Sequence, residues 1–471
     1  MPSSRPGEFD RELGQVSATN DSACAIWPAR LITPVLTPQV PGSPSDTPRT
    51  ASAVSAVGKI TVSGDSLKTI RSQQKVAGLA ACLALAGSLA ACSSSSAGTS
   101  SSSTSGASTL NVGVVVTTTG PFAAIAGNDL VGSQVSAAEF NAAKHDYKIK
   151  IIEIQTDGTP ADTLQALTKA VNSQQVGYVT GFLTSDVAAA VSAAAPRLGV
   201  DVLDTLAQDS ILVGKECNAN YFKFAADEDQ YALAFGLFVK KQGLTTFDAI
   251  APDYARGHDA ISSLTASLQQ AGGSLKKTEY PALGATDFGQ QISALSGAPA
   301  DALYVAEAGA DAVTFAKQSA QFALFKKYKA VVGQGFLIPP LVPVMGSAVQ
   351  NVYDFVPWLP SNPAGQQFVT AYEAKSSGAA PWYAPASENV ALQFLEQAAD
   401  KAGSTAPSKV GPAMAGMSAD TIQGQVQMRA QDHLLLQPLI TVQAVGAGNL
   451  LARDTWTTQQ TTPPVISACH M

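Results

Sequence analysis

From residue 110 onward the chain alternates between two hydrophobic periods. LNVGVVVT (110–117) is an uncharged, β-branched run, the pattern of a strand covered on both faces. The Gly/Pro turn TTTGPFAAIAG (117–127) separates it from a helical stretch at 129–144. YKIKIIEIQTD (147–157) alternates and then runs apolar, which predicts a second strand. Helix 161–174, strand VGYVTG (176–181), helix 185–197 and strand VDVLDTL (200–206) extend the series. A second series begins near 228, with helix 229–242, strand FDAIAPD (247–253), helix 258–272 and strand SLKKTEYP (274–281). Helix 287–296, strand DALYVAE (301–307), helix 310–322 and strand YKAVVGQG (328–335) complete it. NVYDFVPWLP (351–360) then opens a last segment with helices at 364–376 and 386–403 and a pair of strands near 421–430 and 438–445. Strands alternating with helices predict parallel βαβ units with right-handed connections. The expected fold class is therefore α/β, with two doubly wound lobes in tandem. The first is 109–227 plus 357–435, the second 228–356 plus 436–460, and 461–471 is a tail. Open parallel sheets bind ligands beyond the carboxyl ends of their strands. Two such sheets facing each other make one cleft, the place where pockets concentrate.

The first hundred residues follow a different pattern. Residues 1–64 are rich in Pro, Ser, Thr and Ala with no helical or strand period, as in a disordered or non-native leader. Lys68, Arg71 and Lys75 then precede the apolar run VAGLAACLALAGSLAAC (76–92), and 65–92 has the parts of a secretory signal. Its last four residues, Leu89-Ala90-Ala91-Cys92, resemble the bacterial lipobox, which implies lipidation of Cys92 as the mature N-terminus. An earlier copy ending at Cys82 leaves only Val76, Ala77 and Gly78 as an apolar core, too few for export. The alternative is a short buried helix. The serine-rich stretch 93–108 reads as a flexible tether. A signal so deep in the chain suggests a downstream start, for which Val62 is one candidate.

Composition narrows the function. The 471 residues are 46% apolar and 14% charged, enough for more than one core. The net charge of −7 with scattered basic residues gives no footprint for nucleic acid. No apolar run reaches the ~20 residues of a membrane span. Of five cysteines, Cys24 and Cys82 precede the cut and Cys92 is the lipidation site, so the mature domain keeps Cys217 and Cys469. An oxidising compartment favours their disulfide, the alternative being two free thiols. No nucleophile elbow, zinc-protease helix, phosphate loop or dinucleotide fingerprint is present, and no Cys/His cluster has metal spacing. Asp432 and His433 are neighbours that a strand would point to opposite faces. The chain is thus expected to bind without turnover, with no cofactor and no metal.

These features together resemble the type I periplasmic binding proteins, and within them the leucine/isoleucine/valine-binding branch that serves ABC transporters. The segments that carry the likeness are LNVGVVVTTTGPFAAIAG, YVTGFLTSDVAAAVSAAAPRLGVDVL, PDYARG, TDFGQQISAL, ADALYVAEAGADAVTFAKQ and QMRAQDHLLLQPLITVQAV. The resemblance implies Rossmann-like lobes on a multi-strand hinge near 226–228, 356–359 and 434–438, closing on a ligand and docking on a permease. It implies an exported, lipid-anchored monomer, with a sensor on the same clamp, or less readily an enzyme, as the rivals. Its ligand positions fall on Thr184 and Ser185, on Leu206 and Gln208, and on Tyr254. Ser185 opens a helix, whose free N–H groups suit a carboxylate. The acid that pairs with a ligand ammonium falls on Gln334 or Gly335 and is missing, and the tyrosine after TGP falls on Ile125 or Ala126. Glu307, ending DALYVAE, is the candidate substitute. Without it the expected ligand shifts from a branched-chain amino acid toward an amide or a carboxylic acid, an aromatic one included.

Overall fold

The computed structural model describes residues 108–471 except 144 and 447. The leader, the signal segment with Cys92, and the serine tether before Ser108 lie outside the described residues. Within the first series come β1 (Ser108–Thr117), α1 (Gly127–Ala142), β2 (Tyr147–Thr156), α2 (Pro160–Gln174), β3 (Tyr178–Thr180), α3 (Ser185–Leu198), β4 (Asp201–Asp204) and β5 (Tyr221–Lys223). Their strands form an all-parallel sheet in the order β2-β1-β3-β4-β5. The uncharged centre of β1 explains its place inside the sheet, since Val112 and Val114 are fully buried between flanking helices.

The second series gives α4 (Glu228–Gln242), β6 (Thr246–Ile250), α5 (Ala255–Ala271), β7 (Ser274–Glu279), α6 (Gly289–Ser296), β8 (Ala302–Val305), α7 (Gly309–Gln321), β9 (Ala330–Gly333), a single turn α8 (Val342–Met345) and β10 (Tyr353–Val356). The chain then returns to the first lobe with α9 (Pro363–Lys375), α10 (Tyr383–Ala402) and α11 (Pro407–Met414), α9 and α10 packing on α1. A small antiparallel sheet follows, of β11 (Ser418–Thr421), β12 (Gly424–Met428) and β13 (Leu435–Leu436). The chain crosses back with β14 (Leu439–Val445) and β15 (Asn449–Trp456), and ends after the turn α12 (Thr458–Thr461). The second sheet runs β15-β14-β10-β9-β8-β6-β7, parallel except for β14, which is antiparallel to both its neighbours. Two lobes are thus joined by crossings after β5, after β10 and between β13 and β14.

Local chemistry sets most boundaries. Thr159 accepts the Asp162 N–H ahead of Pro160, and Asp227 with Gln230 forms a capping box at α4. Glycines in the left-handed conformation stop α3, α4, α5 and α10. The late strands differ from the sequence reading. The stretch 421–430 does not pair with 438–445. It divides at Gly424 (φ +89°) into the hairpin of β11 and β12, while β14 joins the second lobe. β15 was not expected because NLLARDTW is half polar, which suits a strand at a sheet edge. His433 sits in a turn rather than a strand. Its φ is +56°, its ring stacks on Phe222 at 4.2 Å, and burial lowers its pKa. Cys217 and Cys469 are joined by a disulfide, with Cα atoms 5.5 Å apart.

Candidate functional site

The carboxyl ends of the two parallel sheets face each other, and helices begin on both sides of the gap between them. Ser185 opens α3, Tyr254 precedes α5, Ala308 precedes α7 and Tyr383 opens α10; all four line one cavity. None of these four helices has a side-chain cap at its start. Their first-turn dipoles converge on the cavity, an arrangement that favours a negative group, although the Ala310 N–H of α7 is already taken by the Pro121 carbonyl. Phe122, Ile125, Leu183, Leu206 and Ile338 supply apolar walls. The cavity measures about 30 Å³, close to the volume of one water.

The lobes are held shut across this space by polar contacts. Gln208 of the first lobe accepts from Arg256 Nε and from Gln334 Nε2 of the second, each at 3.0 Å. The Ser210 N–H and hydroxyl both donate to Asp259 Oδ2 at 2.8 Å. The Ala310 N–H donates to the Pro121 carbonyl at 2.9 Å, beside Gly309. Gly309 has φ +62°, and a Cβ there falls 2.7 Å from Pro121 O. Gly309→Ala is expected to prop the lobes apart. The result is a several-fold loss of ligand affinity by calorimetry, with the unliganded protein destabilised by only about 1 kcal/mol.

Arg256 is the centre of the site's electrostatics. It is a cation in the first turn of α5, where the dipole opposes it, yet it is buried. Acceptors compensate. Nε also reaches Glu228 Oε1 at 3.1 Å, Nη1 donates to the Ala306 carbonyl at 2.8 Å, and Nη2 donates to the carbonyl and Oε1 of Gln334, both at 2.8 Å. Burial pushes the Glu228 carboxyl up to about 8 while Arg256 pulls it down. Glu307 is also pushed up to about 8, by burial first and then by Asp311, with Arg256 opposing.

Of the residues singled out from the sequence, the structure brings Ser185, Leu206, Gln208 and Tyr254 into the cavity wall. Thr184 is the N-cap of α3 and lies off the wall, its hydroxyl capping nothing. Glu307 is fully buried one residue before the wall, and neither of its oxygens has a hydrogen-bond partner. Of Gln334 and Gly335, the two positions on which the resemblance puts the missing acid, Gly335 lines the wall. Sequence reasoning missed Arg256, although it lies in PDYARG two residues after Tyr254. The available signal was a lone arginine at a helix start, a placement that calls for a partner. It also missed Tyr383, hidden in the return segment. Away from the cavity, His145, Glu396 and Asp400 bring donor atoms within 4.8 Å of one another, a grouping that sequence spacing could not reveal across 250 positions.

Comparison with known proteins agrees with this architecture. The family model described as periplasmic binding protein matches residues 109–449. Among solved structures, a solute-binding protein of an ABC transporter from Rhodopseudomonas palustris BisB5, in complex with 3,4-dihydroxybenzoic acid, is similar at 22% identity and a TM-score of 0.68, over 74% of this chain and 98% of that one. An amino acid ABC transporter substrate-binding protein from Pseudomonas fluorescens Pf-5 is similar at 18% identity and a TM-score of 0.69, over 78% and 100%. A leucine-binding protein from Thermotoga maritima is similar at 17% and 0.66, over 74% and 99%. With two doubly wound lobes, a cleft at their strand ends and a family match across nearly all the described residues, this chain belongs to the periplasmic binding protein family.

Proposed function

We propose that this protein is the extracytoplasmic solute-binding component of an ABC importer, which closes its lobes on a small carboxylate and releases it unaltered to a permease. The observation that carries this reading is the convergence of four uncapped helix starts on an apolar-walled cavity between the lobes. The Ser185 hydroxyl and the α3 N-terminus hold the ligand carboxylate. Tyr254, Leu206 and Phe122 cover its apolar body, and Arg256 organises the second lobe's face. The acid that the resemblance implies for a ligand ammonium falls on Gln334 or Gly335, neither of them acidic, so a carboxylate without an α-amino group is favoured, of the kind seen in the dihydroxybenzoate complex. The cavity is too small for such a ring, so binding requires the lobes to part first and close afterwards.

One observation favours a second reading. Glu307 is a buried carboxyl without a partner, beside the wall, and its ionised form suits a ligand ammonium. A branched-chain amino acid is the ligand in that case. Calorimetry and thermal-shift measurements with benzoate, 4-hydroxybenzoate, leucine and a neutral amide separate the two. Binding of the aromatic acids alone supports the first reading, leucine alone supports the second, and no response to any of them removes both. Ligand at 100 times its dissociation constant stabilises the protein by about 2.7 kcal/mol. Ser185→Ala is expected to weaken carboxylate binding about tenfold and to cost the unliganded protein only about 1 kcal/mol, for the Asp209 N–H that donates to the Ser185 hydroxyl at 3.3 Å. An unaltered dissociation constant takes Ser185 out of the site.

The reading includes export, anchoring through Cys92 and a monomeric clamp without catalytic turnover. Mass spectrometry of the mature N-terminal peptide tests the anchor: a diacylated cysteine supports it and an unmodified residue 92 contradicts it.

A further inference from the structure

The chain does not end where the second sheet ends. After β15, α12 packs on α4 of the second lobe. The Thr461 hydroxyl then donates to the Gln437 carbonyl at 2.7 Å, inside the crossing between β13 and β14. Two residues later Arg429 Nη1, on the first lobe, donates to the Pro463 carbonyl at 2.5 Å. Asp432 holds that guanidinium in place, with Nε to Oδ1 at 2.8 Å. Ile466 lies against Gly214 of the first lobe, where an added Cβ would come within 2.9 Å of its Cδ1. Cys469 then bonds covalently to Cys217 in the loop before β5. Residues 457–469 therefore run from the second lobe to the first, as a fourth connection beside the three chain crossings.

Gln437 ties these connections together. It is fully buried, its Nε2 donates to the Phe224 carbonyl at 3.0 Å in the first crossing, and its own carbonyl takes the Thr461 hydroxyl. Gln230 at the start of α4 adds a bond to the Leu435 carbonyl at 3.2 Å. Between the anchor at Thr461 and the cross-link at Cys469 lie seven residues, which the Arg429 bond to Pro463 and the Ile466 contact hold down on the first lobe. A residue spans at most ~3.6 Å when extended.

We propose that the C-terminal tail is a fourth hinge element, a strap whose disulfide limits how far the lobes part, and that Gln437 is the positioning residue that sets it against the other crossings. Without the covalent bond, the first-lobe end is held by the hydrogen bond from Arg429, by the approach of residue 469 to the Gln431 carbonyl, 3.5 Å from Cys469 Sγ, and by the Ile466 contact. Water can replace the first two, and the third is small. The tail then releases and three crossings carry the hinge. The strap depends on the two-lobe clamp for its consequence, since a wider opening lowers the population of the binding-competent closed state.

The test uses the mature domain without ligand. The double variant C217S/C469S is expected to have a larger radius of gyration by small-angle scattering. Amide exchange at Lys223–Ala225 and Leu434–Leu435 is expected to be at least about tenfold faster than in the wild type. A second variant keeps both cysteines and inserts two glycines after Thr462. It lengthens the strap without losing the cross-link, and it is expected to open the lobes while keeping the wild-type melting temperature. This variant decides the matter if the cysteine variant fails to fold. An unchanged radius and unchanged exchange at the crossings in the insertion variant overturn the strap. Because no ligand is present, that failure leaves the carboxylate reading untouched, and a failed ligand screen leaves the strap standing.

Discussion

Replacing Arg256 with methionine is expected to abolish carboxylate binding and to lower the stability of the unliganded protein by about 3–5 kcal/mol. The guanidinium satisfies Gln208 Oε1, Glu228 Oε1, the Ala306 carbonyl, and the carbonyl and Oε1 of Gln334, all in the buried interior. Removing it strands these acceptors where water does not reach, and the Glu228 carboxyl, already pushed up to about 8 by burial, loses the cation that opposes that shift and has to hold a proton to stay buried. The loss falls on both properties because the same side chain braces the second lobe and reaches across to Gln208 of the first. Arg256→Lys keeps the charge but not the planar fork, so an intermediate loss is expected. Pairing Arg256→Met with Glu228→Gln removes the need to protonate that buried acid, and the double variant is expected to be more stable than Arg256→Met alone above about pH 8. Urea unfolding of the three variants, with calorimetry on a binding ligand, checks the set. A single variant that loses less than about 1 kcal/mol and still binds contradicts the assignment.

Much of the fold could be read from the chain because its signals are local. The uncharged β1, the alternation in β2 and the Gly stops after α3, α4 and α5 each fix an element without help from distant residues. Ser185 and Tyr254 came from the resemblance, with the start of a helix adding a physical reason for Ser185, and the structure sets both at strand-to-helix junctions that open onto the cleft. The parts that escaped are those decided by long-range partners. Arg256 is a poor choice for a helix start until Glu228 and Gln208 are brought to it. Gln208, chosen as a ligand contact, also spends its oxygen on the opposite lobe, which makes it part of the latch. Glu307 points to a different limit. The sequence puts it at a strand end, but only packing decides that its carboxyl is enclosed beside the wall rather than in it. β15 escaped because an edge strand tolerates polar residues on its open side, which erases the apolar period.

Raising the pH from 5 to 8 is expected to destabilise the folded protein by about 3 kcal/mol through Glu388 alone. Glu388 is fully buried on α10, and the hydroxyls of Thr180, Thr205 and Ser133 donate to it at 2.6, 2.5 and 2.7 Å. Burial pushes its carboxyl up to about 7, with those three donors opposing. Asp129, one helical turn before Ser133, is fully buried with neither oxygen bonded, and burial together with the charge of Glu388 raises it well above the usual carboxylate range. In the unfolded chain both acids ionise near ~4. Between that value and 7 the folded form therefore holds a proton that the unfolded form has released, so the stabilisation is complete below pH 4 and is lost as the pH rises through 7. Asp201, pushed up to about 7 by burial, acts in the same direction. Glu388→Gln is the test, because the amide keeps the shape and the surrounding hydroxyls can turn to meet its N–H groups. The variant is expected to match the wild type near pH 5 and to exceed its stability at pH 8, which flattens the urea midpoint against pH. A variant whose midpoint falls with pH as steeply as the wild type moves the effect elsewhere. If the slope does flatten, the proton sits behind the first-lobe wall of the cleft, since Thr205 adjoins Leu206 and α10 begins at Tyr383.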